Sequence, residues 1–197
     1  GESVPVLVLP MGYARRLANI DPNFNSSQAM KAFSKSSEPI NIAAEVCNIF
    51  RRAFTKLKNG RGGPVIVEIP ADMWNEDVPE PLNYTPVLRT RYGADPVHVK
   101  EAAALLVGAR RAVIYAGQGV HYAKAWPQLK RLAERLAIPV TTSLGVKSSF
   151  PETHPLSLGS GGLAVPRAVP KFLGDADVIF GIGCSFTETS FGIAMPK

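Results

Sequence analysis

Two short glycine-rich segments are the first places in this sequence where the residue types could support ligand chemistry. They are Gly117-Gln-Gly119, which follows an apolar run, and Gly181-Ile-Gly183, which ends one. Glycine lets the backbone turn sharply, and main-chain N–H groups in such turns can bind phosphate beside a helix N-terminus. The dinucleotide-binding fingerprint is incomplete, because Tyr122 stands where its third glycine is expected. Two interpretations of these segments therefore remain. They could be phosphate-binding turns, or turns in which glycine only allows tight packing, and the second interpretation is favoured.

A long polar loop, residues 143–162, contains the two titratable candidates, Lys147 and His154. Loops of this length usually cover a ligand or contact another domain. Lys147 could bind an anionic ligand or remain solvated, and both interpretations stay open. No carboxylate or nucleophile stands at a spacing that demands a catalytic histidine, so a structural role is favoured for His154.

Metal and nucleophile chemistry is not indicated by any spacing in the sequence. Cys47 and Cys184 lie too far apart for a metal-ligand motif, and they form no disulfide framework. There is no Gly-x-Ser-x-Gly elbow and no glycine-rich loop ending in Lys-Ser or Lys-Thr. Asp72, Glu76 and Asp77 are interpreted as solvated charges. We therefore predict no catalytic residue and no metal ligand within this chain.

Composition restricts the classes of partner. Apolar residues make up 46% of the chain and charged residues 19%, as in ordinary globular proteins. The net charge of +6 is scattered, which argues against a nucleic-acid partner. No apolar run approaches the ~20 residues of a membrane span, and no signal peptide is recognisable. We predict a cytoplasmic protein with no membrane partner.

The elements of the first half follow an α/β pattern. The continuous apolar run at residues 4–9 predicts a strand covered on both faces, as in a parallel sheet. Apolar residues at three- and four-residue spacing predict a helix over 42–57, which the pair Asn59-Gly60 would end. Residues 64–70 predict a second buried strand. Helix, glycine turn and strand form half of a parallel α/β repeat.

The second half predicts a complete sheet. A helix should start with Asp95 as N-cap and Pro96 at its first position. Apolar strands at 112–116, 138–142 and 178–182 alternate with helical segments. This alternation predicts a doubly wound parallel sheet with helices on both faces, and each strand would lead into a loop at a shared carboxyl edge.

The proline-rich stretch 71–95 divides the two halves, because it shows no apolar periodicity and is typical of an extended connector. We expect a partial α/β domain over residues 1–83 and a central domain over 96–197, truncated at its C-terminus. The abrupt start and end of the pattern favour a chain cut from a larger protein.

The run Asn59-Gly-Arg-Gly-Gly-Pro-Val-Ile-Val-Glu-Ile-Pro-Ala-Asp72 resembles the end of the pyrimidine-binding domain of thiamine diphosphate enzymes. Later segments resemble, in order, the nucleotide-binding-like central domain of the acetolactate synthase group; they are residues 112–119, 138–142, 150–159 and 176–183. The resemblance covers nearly the whole chain.

The resemblance implies an enzyme whose thiamine diphosphate and Mg²⁺ lie between the first and third domains of two subunits. A homodimer or homotetramer acting on a 2-keto acid, as a transferase or lyase, is expected. The cofactor-activating glutamate would lie upstream of Gly1, and the Gly-Asp-Gly…Asn-Asn segment that binds Mg²⁺ would lie downstream of Lys197. The chain alone is therefore expected to be inactive. The alternative is a stand-alone nucleotide-binding or regulatory module.

The central domain of this family carries FAD, ADP or no ligand. The resemblance places such a site on one set of residues: Gly117, Gly119, Thr142, Leu144, Gly145, Gly183, Ser185 and Phe186. The sequence departs from acetolactate synthase after Gly181, where an arginine and paired aspartates are missing, and at Gly159-Ser-Gly-Gly162, where a Met-His pair is missing. A central domain retained as a scaffold is favoured over a flavin site.

Overall fold

The computed structural model describes residues 3–162, 164–187, 192, 193, 195 and 196. The chain forms two compact units, Gly1–Gly93 and Ala94–Lys197.

A small parallel sheet organises the N-terminal unit. Its central strand is β4 (Val65–Pro70), and β3 (Ser36–Pro39) pairs with one side of it. Two short strands, β1 (Leu7–Val8) and β2 (Met11–Gly12), pair in a single register with the other side. They therefore form one interrupted edge strand.

The prediction that residues 4–9 are covered on both faces is wrong. Val4, Val6 and Val8 are exposed at 48%, 45% and 39%. The run lies at the edge of the sheet, and among the residues that the structure describes its strand pairs only with β4, whereas β4 is buried along most of its length. An apolar run gives the strand but does not distinguish an edge from a centre.

The predicted amphipathic helix is present as α2 (Val46–Lys58), which buries Ile49 and Ala53. Gly60 follows with φ +67°, as expected for a glycine that ends a helix. A shorter helix, α1 (Ser26–Ala29), begins at Asn25, whose side chain accepts the N–H of Gln28.

The connector is fixed by two hydrogen bonds to α2 and by one to Asn59, the residue that caps the C-terminal end of α2. Arg51 donates to the carbonyl of Asn83 (2.7 Å), and Lys58 donates to the carbonyl of Val87 (2.7 Å). The N–H of Thr90 donates to the side chain of Asn59 (2.8 Å).

The C-terminal unit is a doubly wound parallel sheet of order β7-β6-β5-β8. Its strands are β5 (Ala112–Ala116), β6 (Val140–Thr142), β7 (Ser157–Ser160) and β8 (Val178–Ile182). Its helices are α3 (Pro96–Gly108), α4 (Gln118–Tyr122), α5 (Trp126–Leu136) and α6 (Ala168–Asp175).

Alternate residues of β5 face opposite helical layers. Ile114 packs in a core cluster with Leu129 and Ala133 of α5. Val113 packs with Val169 and Leu173 of α6. The sheet is thus covered on both faces, as the alternation of elements predicted, and α3 begins with the predicted Asp95 cap, whose carboxylate accepts the N–H of Val97 at 2.8 Å.

The stretch 143–162 was predicted to be a loop throughout, and this is wrong. It contains a 3₁₀ segment, Leu144–Ser149, and the edge strand β7. Strand β7 is only partly buried and has the sequence Ser-Leu-Gly-Ser, so it lacks the apolar and β-branched residues that usually identify a strand.

Candidate functional site

The carboxyl ends of three strands meet at one edge of the C-terminal sheet. Thr142 pairs with Ala116, and Ala116 pairs with Ile182, so β6, β5 and β8 end side by side. Thr142 is the last residue of β6, and the segments that follow the three strands carry the other residues of the predicted cofactor set. We call this the carboxyl-edge site.

The glycine N–H groups at this edge are already used within the protein. Gly117 donates to the carbonyl of Ile182 (2.9 Å), and Gly119 donates to the carbonyl of Gly183 (2.8 Å). These bonds attach the start of α4 to the end of β8. The two amides are therefore not available to bind phosphate.

Close packing of backbone against backbone explains the glycines. A Cβ atom at Gly117 would lie 2.5 Å from the Cα of Cys184, and one at Gly119 would lie 2.6 Å from the Cα of Gly183. Gly183 itself has φ +63°, a conformation that favours glycine. This geometry supports the tight-turn interpretation of the sequence.

Thr142 contributes a buried hydroxyl. Its Oγ1 has no hydrogen-bond partner in the described part of the chain, and the residue is 4% exposed. Its carbonyl accepts the N–H of Gly161 at 2.8 Å. Burying a hydroxyl without a partner is unfavourable, so this side chain is the one member of the predicted set with an unmet hydrogen-bonding need.

A shallow groove of about 480 Å³ lies beside the same edge. Leu144, Gly145, Lys147, Phe150 and Glu152 are among its lining residues. The Lys147 ammonium lies 3.5 Å from the Glu152 carboxylate, and both side chains are largely exposed. An exposed pair of this kind is weak, so Lys147 keeps the capacity to bind a competing anion.

Ser185 and Phe186 turn back onto the protein. The Ser185 hydroxyl hydrogen-bonds with the Thr187 hydroxyl at 2.8 Å. The Phe186 ring stacks on Tyr115 with 5.9 Å between centroids and covers Gly181, where a Cβ atom would collide with it. Burial raises the pKa of Tyr115, and the neighbouring Cys184 adds to the shift.

The contacts of His154 within the protein support a structural role for this side chain. The N–H of Leu156 donates to its Nδ1 (3.2 Å), which leaves Nε2 to donate to Glu134 (3.2 Å). Its ring also meets the edge of Phe150 at 5.1 Å. Glu134 lies on α5, twenty residues away, so no local spacing in the sequence could have revealed this partner.

Arg15 organises the carboxyl edge of the N-terminal unit. Its Nε donates to Asp72 (2.8 Å), it also contacts Glu76, and Nη1 donates to the carbonyl of Asn41 (2.8 Å). The interpretation of Asp72 and Glu76 as solvated charges is therefore wrong. Arg15 is distant in sequence from both carboxylates and belongs to no motif, so no local pattern could have revealed the network.

Neither a cluster of metal-ligand side chains nor a membrane-spanning helix is found among the described residues. In residues 3–162, 164–187 and the four further described positions, no three His, Cys, Asp or Glu side chains lie close enough to hold a metal ion. Within the same residues, no helix is long and apolar enough to cross a membrane.

Comparison with known proteins agrees with this architecture. Residues 99–196 match the family model described as thiamine pyrophosphate enzyme, central domain. The chain is 34% identical to the protein named "Probable acetolactate synthase large subunit" of Methanocaldococcus jannaschii, over 97% of this chain and 34% of that protein. It is 31% identical to glyoxylate carboligase of Escherichia coli O157:H7, over 97% of this chain and 33% of that protein.

A solved structure shows the same fold. The crystal structure of benzoylformate decarboxylase from Polynucleobacter necessarius matches with a TM-score of 0.77 and 27% identity, over 92% of this chain and 34% of that chain. This chain belongs to the thiamine diphosphate-dependent enzyme family. Within that family it is acetolactate synthase-like. It spans about one third of the length of the curated relatives that it matches.

Proposed function

We propose that this chain is one part of a thiamine diphosphate-dependent enzyme that decarboxylates a 2-keto acid or joins it to an acceptor. The observation that carries the proposal is the extent of the similarity: it covers 97% of this chain but only 34% of the M. jannaschii relative. In this proposal residues 1–83 belong to a pyrimidine-binding domain, 71–95 form the connector, and 96–197 belong to the central domain.

The residues present do not suit Mg²⁺ or the diphosphate of thiamine diphosphate. Proteins bind Mg²⁺ through carboxylate and carbonyl oxygens beside the phosphates of a ligand. The described residues contain no cluster of three potential ligand side chains, and the carboxylates of Asp72 and Glu76 already contact Arg15. We therefore expect the chain alone to be inactive.

The C-terminal unit acts in this proposal as a scaffold. The backbone N–H groups of Gly117 and Gly119 and the hydroxyl of Ser185 already form hydrogen bonds within the protein. An adenine nucleotide such as ADP or FAD would have to lie across the loops after residues 116, 142 and 182. Thr142, at the end of β6, and Lys147, in the segment after it, are two groups that could still bind one.

Calorimetry with thiamine diphosphate and Mg²⁺ tests the first part of the proposal. The 197-residue chain should give no measurable heat of binding, whereas a longer protein that includes the flanking coding sequence should bind the cofactor and consume pyruvate. Tight binding by the chain alone, or stop codons directly on both sides of it, would overturn the proposal and favour a stand-alone module.

Absorbance of the longer protein tests the scaffold assignment. The flavin bands should be missing from freshly purified protein and should not appear after incubation with FAD and gel filtration. A retained flavin spectrum would show that the carboxyl-edge site binds FAD in spite of the internally bonded glycine amides.

A further inference from the structure

A second cavity lies at the opposite edge of the C-terminal sheet, where β5 and β6 begin. It has a volume of about 430 Å³, and the ends of α3, α5 and α6 enclose it. Pockets of this size hold small molecules. None of its lining residues belongs to the carboxyl-edge site. We call it the amino-edge pocket.

One wall of the amino-edge pocket is apolar. Leu106, Val113 and Ile138 line it and are buried in the cores of the unit. Phe172 of α6 also lines it and is 43% exposed, so an aromatic side chain is accessible at its wall. A ligand that fills the pocket would therefore bury a hydrocarbon or aromatic body.

The rim of the pocket is cationic. Arg110, Arg111 and Lys171 line it together with one carboxylate, Asp175. Lys171 is paired with Asp175 at 3.0 Å, but both side chains are largely exposed and the pair is weak, so the rim keeps an excess of positive charge.

Asp177, just before β8, does not neutralise the arginine side chains by a direct bond. Its two carboxylate oxygens accept the backbone N–H groups of Arg110 (2.8 Å) and Arg111 (2.9 Å). In the part of the chain that the structure describes, neither guanidinium forms an ion pair or a side-chain hydrogen bond. The two guanidinium groups thus have no direct partner, although Arg111 attracts the Asp177 carboxylate through space, and beside an apolar wall they favour a ligand with an anionic group.

We propose that the amino-edge pocket binds an apolar monocarboxylate, such as a medium-chain or aryl carboxylate. The guanidinium groups of Arg110 and Arg111 hold the carboxylate, because their planar forks match its two oxygens. The hydrocarbon body lies against Leu106, Ile138 and Phe172. This site is independent of the proposed function, since it uses no residue of the carboxyl-edge site.

Octanoate is the probe, added to the ¹⁵N-labelled 197-residue chain and followed by amide chemical shifts. We expect saturable shifts at residues 106–113 and 136–139, with a single dissociation constant. Octanamide, which has the same body without the charge, should bind about tenfold or more weakly, and octylamine should not compete. This series needs no substitution and so does not depend on the folding of any variant.

Arg110→Gln and Arg111→Gln test the two contacts one at a time. Both keep the backbone N–H that Asp177 accepts, and each should weaken octanoate binding by about three- to tenfold. Arg131→Gln, on the exposed side of α5, removes the same charge from the same unit and should leave the affinity unchanged.

Three results would each overturn the proposal. The first is that the shifts map to the loops after residues 116, 142 and 182. The second is that octanamide binds as tightly as octanoate. The third is that Arg131→Gln weakens binding as much as Arg110→Gln.

Discussion

The backbone contact between Gly119 and Gly183 gives one substitution a definite stability cost. In Gly119→Ala the added Cβ would lie 2.6 Å from the Cα of Gly183, and backbone cannot yield as a flexible side chain can. We expect a loss of about 1–3 kcal/mol in the free energy of unfolding, the usual cost of overpacking. Urea denaturation of the two proteins measures it.

Gly174→Ala is the matched control. Gly174 lies in α6 with open space around the position of a Cβ atom, so alanine should be neutral or should stabilise by up to about 1 kcal/mol. Equal effects of the two substitutions would show that the tight contact at Gly119 is not present in solution.

Arg15 controls the acid titration of Asp72. The hydrogen bond from the Arg15 side chain, followed by the one from its backbone N–H, holds the pKa of Asp72 below its ordinary value of 3.8. In Arg15→Gln the side-chain bond is lost, so the pKa of Asp72 should rise toward 3.8. Carbon-detected NMR titration of the carboxyl group measures the change.

The same network makes a prediction about stability and pH. Because the folded pKa of Asp72 is lowered, its pairing stabilises the fold above the unfolded pKa, and this contribution is lost as the pH falls through the folded pKa. Arg15→Gln should therefore be less stable than the parent near neutral pH, and the difference should shrink in acid. Arg16→Gln removes an exposed neighbouring charge and should show no such trend.

At the scale of elements, Lys35 fixes the C-terminal end of α2. Its ammonium donates to the carbonyls of Lys56 (2.5 Å), Asn59 (2.5 Å) and Arg61 (2.7 Å), where the helix dipole favours positive charge. Lys35→Met keeps the aliphatic stem and removes all three bonds. We expect a loss of about 1–2 kcal/mol in unfolding free energy, measured by urea denaturation.

Lys31→Met serves as the control for Lys35, because Lys31 is exposed and has no hydrogen bond among the described contacts. If both substitutions cost the same, the three carbonyl contacts contribute nothing to stability. A larger cost for Lys35→Met separates the contribution of the three carbonyl contacts from that of general charge removal.

Elements that bury their apolar side chains in a hydrophobic core were predictable from the sequence. Strand β4, helix α2 and the strands β5, β6 and β8 were found because burial leaves a periodic or continuous apolar pattern. The burial of residues 4–9 and the existence of β7 were not predictable in this way. Residues 4–9 look like a buried strand but lie at an edge, and β7 looks like a loop because Ser157 and Ser160 are half-exposed.

At the scale of the whole molecule, the sequence predicted where the loops meet but not which hydrogen bonds their residues form. Parallel order follows from alternating strands and helices, and it places the loops after β5, β6 and β8 at one edge. The internal hydrogen bonds of Gly117 and Gly119, like the Arg15 network, join residues far apart in sequence. Such contacts leave no local pattern, so only the structure could show them.

The central claim is that β5 and β8 run parallel and that the glycine turn after β5 is bonded to the end of β8. Through-hydrogen-bond NMR coupling tests it directly. We expect correlations from the amide nitrogen of Gly117 to the carbonyl carbon of Ile182, and from Gly119 to Gly183, because the donor and acceptor lie 2.9 and 2.8 Å apart. If both correlations are missing from a spectrum that shows those between β5 and β6, or if contacts between β5 and β8 follow antiparallel pairing, this arrangement of the two strands is wrong.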